Sequence, residues 1–232
     1  MSRNGTGPVF GVLVAAGRSE RMDGIDKVFV PVMGRPLVVW PLTAFKKCDE
    51  VEAVIVVASD VGRMRALVRD WRFDKVVDVV QGGETRQDSV RAGLDAARDA
   101  GIVVVHDAAR PLVTPEMIAE GVALARESGA AVCAVPATDT VKEVAGDPPV
   151  VRATPDRAGL WLAQTPQAFD RALLLDAHQR ATLAATDDAA LVEAAGHAVR
   201  VYRGASWNIK VTTRDDVVIA EALLRERFST PA

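Results

Sequence analysis

The chain is poor in the residues that usually carry metal or nucleophilic chemistry. Its 232 residues include two cysteines and three histidines. Cys48 and Cys133 have no metal-like spacing, which points to reduced thiols and a cytoplasmic protein. Cys133 lies inside an apolar run and reads as core. His106, His178 and His197 also lack ligand spacing, so structural or surface positions are expected for all three. Neither H-E-x-x-H nor G-x-S-x-G occurs, which removes the zincin and nucleophile-elbow classes. No G-x-G-x-x-G follows the first strand-like run, which weakens a dinucleotide reading. The absence of G-x-x-x-x-G-K-[ST] argues against a P-loop kinase or GTPase. Long hydrophobic runs are missing too. The longest, near residues 10–16, is far below the roughly 20 residues a membrane helix needs. A formal net charge of -3 gives no electrostatic case for nucleic acid or an anionic membrane surface. Any basic site must therefore be a local cluster.

What remains is the composition of a soluble α/β protein. The hydrophobic fraction of 49% and charged fraction of 25% are enough for a real core. The length fits one large domain over residues 1–232, with an excursion, better than two full domains. The N-terminal apolar stretch ends at small residues like a signal peptide, but the same residues serve as a first core strand, so no cleavage is expected. Strand-like and helix-like runs then alternate. Strands are expected at 9–15, 53–58, 76–80, 102–105, 130–135 and 199–202. Helices are expected at 36–47, 60–72, 85–100, 173–184, 187–195 and 213–228, with another capped by Thr114 and begun by Pro115. Pro36 suits the first turn of its helix, and Pro41 should kink or shorten it. Residues 138–157 break the rhythm. Two short β-prone pieces flank Gly146-Asp147-Pro148-Pro149, a hairpin with too little apolar surface to be stable alone. The alternation implies a mostly parallel sheet with helices on both faces and a ligand at the strands' carboxyl ends.

The chain is organised around residues 12–27, VLVAAGRSERMDGIDK. A β-branched run breaks at Ala16-Gly17 into a segment carrying Arg18, Arg21 and Lys27. A buried strand followed by a small-residue turn brings backbone N–H groups close to a ligand, and three cations suit an anion such as phosphate. Taken alone, the stretch fits a surface loop of solvated charges about as well. Polar residues recur at later strand ends: Gly82-Gly83, Asp107-Ala108, 138–140 and 208–210. Each alone reads as a turn; together they form one rim.

AAGRSERM, a lysine a few residues on, GGETRQDSV, HDAARP, a DT in the arm, QTPQAF, TDDAALVE and NIKVTTRDD stand in an order that resembles the 2-C-methyl-D-erythritol 4-phosphate cytidylyltransferase family. The likeness runs over residues 9–228. HDAARP with QTPQ-x-F and NIKVT is its strong signature, whereas AAGxxxRM alone indicates only a sugar nucleotidyltransferase. The resemblance implies a Rossmann-like nucleotidyltransferase sheet with a protruding β-arm. It also implies a reaction in which the acceptor's phosphate oxygen attacks the α-phosphorus of CTP in line and pyrophosphate leaves. That nucleophile is ionised at neutral pH, so no Ser-His or carboxylate pair is needed. Charge relief and alignment are.

By the same resemblance, Arg21 and Lys27 stabilise the transition state and hold the triphosphate. Loss of either should cost about 2.7–4 kcal/mol of barrier, by analogy with a removed oxyanion donor. Ala15, Ala16 and Gly17 present backbone groups to cytosine and ribose. Gly82, Gly83 and Ser89 read the cytosine edge, and Ala108 lines the sugar. Asp107 contacts ribose or the phosphates that carry Mg²⁺. Lys210 and Arg157, counted with the catalytic set, hold the acceptor's phosphate together with Arg110, Thr140 and Thr165. Thr186 and Asp187 match a position near the nucleotide. The arm is exchanged across a homodimer in this family, so Arg157, Thr140 and Arg110 would serve the partner's site. Ser19, Asp26, Val28 and Trp207 depart from the common pattern, and Trp207 precedes Asn208 where an acidic residue, a second carboxylate for Mg²⁺, is often found. Two alternatives stay open. A ribitol 5-phosphate cytidylyltransferase shares fold and chemistry with a different acceptor. A non-catalytic nucleotide-binding protein would bind CTP without releasing pyrophosphate, but would not need Arg21, Lys27, Arg157 and Lys210 together.

Overall fold

In the computed structural model, which describes residues 7–17, 27–182 and 185–229, the first apolar run forms β1 (Val9–Ala15). A 3-10 turn at Lys27–Phe29 leads into a two-stranded ladder, β2 (Pro31–Val32) and β3 (Arg35–Pro36). Helix α1 (Val39–Lys47) follows, then β4 (Ala53–Ala58), α2 (Val61–Asp70), β5 (Val76–Gln81), α3 (Arg86–Ala96) and β6 (Ile102–Asp107). The second half contains α4 (Pro115–Ser128), β7 (Ala130–Pro136), the hairpin β8 (Glu143–Ala145) and β9 (Val150–Ala153), and β10 (Trp161–Asp170). It closes with α5 (Arg171–Arg180), α6 (Asp188–Ala194), β11 (Arg200–Arg203) and α7 (Arg214–Ser229).

Seven strands form one sheet in the order β11-β7-β10-β6-β1-β4-β5. Every neighbour pair is parallel except the two made by β10. The mostly parallel sheet expected from the alternation is therefore present. β4 is buried at every position, as a strand covered on both faces must be. Side chains of β1 alternate between the two cores. Val9 and Leu13 pack with Phe45 of α1, Met64 of α2 and Ile118 of α4. Val12 packs with Leu94 of α3, Leu174 of α5 and Val192 of α6. Chain direction away from β1 reverses between β6 and β4, so the crevice at the carboxyl ends of β1 and β6 is a topological switch point.

Three expectations change. Pro36 belongs to β3, and α1, shorter than expected, starts at Val39, so Pro41 sits in the first turn, where its missing N–H is unpaired anyway. α3 ends at Ala96 rather than running to residue 100, and α5 likewise spans Arg171–Arg180 rather than reaching 184. β10 was not expected at all. It enters the sheet antiparallel, with its register shifting between Ala163 and Gln167, and that irregularity accommodates Pro166 inside a buried strand.

The arm has the form expected: β8 and β9 pair antiparallel, and all of 138–159 is exposed. Thr114 caps α4 by accepting from the Met117 N–H, with Pro115 in the first turn.

Candidate active site

A cleft of ≈ 770 Å³ opens at the carboxyl ends of β1, β4, β5 and β6, a size that suits a small-molecule ligand. Its floor is backbone. Ala15, Ala16 and Gly17 end β1 on one side, and Gly82 and Gly83 follow β5 on the other. The two strand ends are in contact at Gly82, where an added Cβ would lie 2.2 Å from the Ala16 Cβ. Only glycine allows that approach. Ser89 is buried and fixes the same turn: its Oγ accepts from the Gly83 N–H (3.2 Å) and donates to the Thr85 carbonyl (3.0 Å). Thr85 in turn closes a capping box with Asp88, which starts α3 at the edge of the cleft.

Among the described residues, Lys27, Glu84, Arg86, Asp107 and Lys210 bring charged side chains to the cleft. Asp107 ends β6 and accepts from Lys210 Nζ at 2.6 Å through one carboxylate oxygen and from Arg86 Nε at 3.0 Å through the other. Burial alone would raise its pKa, but the Arg86 and Lys210 cations outweigh burial and hold the carboxyl well below the usual range. Arg86 also donates from Nη1 to Asp188 Oδ2 at 2.8 Å. Burial works against the Arg86 charge, yet Asp188 and Asp107 together raise its pKa. Asp188, itself buried at the start of α6, takes a second contact from His178 Nε2 at 3.1 Å.

Behind the rim lies a buried polar layer built from the sequence motifs. The Asp107 N–H donates to Thr165 Oγ1 (3.1 Å), whose hydroxyl is 3.0 Å from His106 Nδ1, and His106 Nε2 is 3.1 Å from the Arg110 carbonyl. These contacts are all satisfied when His106 is neutral with its proton on Nε2, an assignment inferred from the network. Burial pushes the His106 pKa down to about 4. Asn208 donates through Nδ2 to the Thr165 carbonyl (3.0 Å) and Gln164 Oε1 (3.3 Å), and its own carbonyl accepts from Arg110 Nη1 (2.7 Å). Gln167 donates to the α6 cap Asp187 (2.8 Å) and accepts from the Ala189 N–H (3.2 Å). The buried amides thus position the loop that carries Lys210 and the helix that carries Asp188.

The structure brings together Ala15, Ala16, Gly17, Lys27, Gly82, Gly83, Ser89, Asp107 and Lys210. Arg21, with Arg18 and Ser19, lies outside the described residues. Ala108 is buried beneath the rim, and Ala109 lines the cleft in its place. Thr165 supports Asp107 from behind, while Arg110 ties β6 to the 208–210 loop. Thr186 is exposed just before α6. Thr140 and Arg157 sit on the arm, where Arg157 is bonded to the Thr138 carbonyl, and neither lines this cleft. Sequence reasoning missed Arg86 and Asp188, although both stand inside the quoted motifs. Their signal was one arginine beside the double-glycine turn and a doubled aspartate opening a helix.

Among the described residues no group of three or more His, Cys, Asp or Glu side chains is placed to hold a metal. No helix there is long and apolar enough to cross a membrane.

The family model for 2-C-methyl-D-erythritol 4-phosphate cytidylyltransferase matches residues 9–226. The enzyme of that name from Dehalococcoides mccartyi strain CBDB1 is 42% identical over 217 residues, covering 93% of this chain and 95% of the relative. The Thermus thermophilus structure of that name is 36% identical, with a TM-score of 0.74, over 92% of this chain and 98% of the other. The 4-diphosphocytidyl-2C-methyl-D-erythritol synthase of Anaerococcus prevotii has a TM-score of 0.82 at 28% identity, over 94% and 96% of the two chains. With the family model matched over residues 9–226 and the relatives alike over nearly the full length, the chain belongs to the 2-C-methyl-D-erythritol 4-phosphate cytidylyltransferase family.

Proposed function

We infer that the chain transfers the cytidylyl group of CTP to 2-C-methyl-D-erythritol 4-phosphate, releasing pyrophosphate in a step of isoprenoid biosynthesis. The observation that carries this reading is the cleft itself: a backbone floor faced by Lys27, Arg86 and Lys210, with Asp107 held between Arg86 and Lys210. An oxygen of the acceptor's phosphate forms a bond to the α-phosphorus while the bond to the bridging oxygen of pyrophosphate breaks. The nucleophile is already an anion, so the site supplies cations and alignment rather than a base. His106 fits that account. It is fully buried, and both its ring nitrogens are engaged by protein atoms.

Lys27 and Arg21 would face the triphosphate, and Lys210 the acceptor's phosphate. Ala15, Ala16 and Gly17 would contact ribose and base, with Gly82, Gly83 and Ser89 at the base edge. Thr165 and Thr186 would complete the acceptor side, with Arg157, Thr140 and Arg110 supplied across the dimer. The homodimer reading is supported by the arm, whose Val144, Val150 and Val151 are 49%, 65% and 55% exposed. A lone hairpin gains nothing by displaying them. Magnesium fits the donor set. Asp107 brings a carboxylate to the cleft, and the ion takes one or two carboxylates while keeping water and phosphate oxygens as its other ligands. Asp107 is the residue that would touch it, and the ion would neutralise phosphate charge. The two free, buried cysteines agree with a reducing compartment such as the cytoplasm.

The test is pyrophosphate release from CTP and Mg²⁺ with methylerythritol 4-phosphate and ribitol 5-phosphate as parallel acceptors. Release with the first alone is expected, and Lys27→Ala should reduce it by about 100-fold or more. Release with ribitol 5-phosphate alone would correct the acceptor. CTP binding without release for either would leave a nucleotide-binding protein.

A further inference from the structure

The two cations on Asp107 differ in how they are held. Lys210 reaches one carboxylate oxygen from a side chain that is 38% exposed. Arg86 reaches the other from a side chain that is 27% exposed and is gripped from behind by Asp188, which is 1% exposed. The third nitrogen of the guanidinium, Nη2, is buried without a hydrogen-bond partner, so the two carboxylates define its position. Asp188 is fixed in its turn by His178 and by its place in the first turn of α6, whose cap Asp187 is held by Gln167. A planar guanidinium bridges two carboxylates through a rigid fork that fixes their relative placement, which the point charge of an ammonium does not do.

We propose that Arg86 is a positioning residue of the transfer reaction: anchored by Asp188, it holds Asp107 in place so that Lys210 can leave the carboxylate for the acceptor's phosphate. The inference rests on the reading given above, in which Lys210 meets that phosphate. Four charged groups lie in line here, Lys210, Asp107, Arg86 and Asp188, with two charges of each sign. When Lys210 turns to the acceptor, Asp107 keeps Arg86 and is not left bare beside a phosphate. Without Arg86, Lys210 is the one protein cation left in contact with Asp107 among the described residues, and releasing it leaves a buried carboxylate without a protein partner. Lys210 then stays where it is. The cost falls on the acceptor, not on the fold alone.

The experiment measures KM for methylerythritol 4-phosphate at saturating CTP and Mg²⁺. It compares the wild type with Arg86→Met, Arg86→Lys and Asp188→Asn, each checked for folding by circular dichroism. The expected result is an acceptor KM raised by about tenfold or more in Arg86→Met, the size of one lost charge-assisted hydrogen bond. Arg86→Lys should recover part of it, because the charge stays but the bridge does not. Asp188→Asn should raise KM in the same direction although Asp188 does not line the cleft. A merely structural role would lower kcat through the folded fraction and leave the acceptor KM unmoved. That result in folded Arg86→Met overturns the proposal. Should Arg86→Met not fold, an unmoved KM in Asp188→Asn overturns it and a raised one supports it. A wild type that releases no pyrophosphate with this acceptor would instead overturn the functional reading, and the inference with it.

Discussion

Replacing Gly82 by alanine tests the floor of the cleft without touching a charge. The new Cβ would stand 2.2 Å from Ala16 Cβ and 3.0 Å from Ser89 Oγ. Carbon atoms prefer about 3.5–4.0 Å, so the ends of β1 and β5 must separate by roughly 1.5 Å. The Ala16 Cβ has no rotamer to change, so that contact is relieved only by movement of the backbone. Overpacking of this kind costs about 1–3 kcal/mol. A displacement of about 1 Å among the groups that align a reaction can cost on the order of 100-fold in rate. Urea unfolding and steady-state pyrophosphate release should therefore both report the change. Gly17→Ala is the matched control, because a Cβ there meets nothing within 4 Å. Its stability should stay within about 0.5 kcal/mol of wild type. Its affinity for CTP should fall, since the added methyl would take space given to the nucleotide. Wild-type stability in Gly82→Ala, or a destabilised Gly17→Ala, would refute the reasoning.

Acid should weaken the fold through His106, whose pKa falls from 6.5 to about 4 on burial. The unfolded chain then takes the proton first, so this stabilisation is complete above pH 6.5 and is lost as pH falls from 6.5 to 4. The loss reaches about 3 kcal/mol. Urea midpoints between pH 7 and 4 should fall more steeply in the wild type than in His106→Asn, and parallel slopes would count against the assignment. Thr85→Ala removes the side-chain half of the α3 capping box and should cost about 1 kcal/mol by urea unfolding, a loss that Thr85→Ser should largely restore.

Legibility in the sequence followed how local the determining physics is. The run 53–58 could be read directly, because a strand covered on both faces needs a continuous apolar stretch. Thr114-Pro115 marked its helix start by chemistry that acts within four residues. β10 was hidden because its sequence, WLAQTPQAFD, has the look of a loop. Its Gln164, Thr165 and Gln167 are polar because they are buried anchors, and that partnership exists only in three dimensions. Arg86 and Asp188 are 102 positions apart, and neither announces the other. Lys27, Asp107 and Lys210 were reached through motif resemblance, and the sheet explains why they meet: they stand near the carboxyl ends of strands that flank the switch point.

A single in-line displacement at the α-phosphorus, driven by cations and alignment, needs no covalent intermediate. The most direct measurement is the stereochemical course of the reaction with CTP that is chiral at a sulfur-substituted α-phosphorus. Inversion of configuration at that phosphorus in the diphosphocytidyl product is the expected result. Retention would contradict it, because it would require two displacements and a nucleophile on the protein.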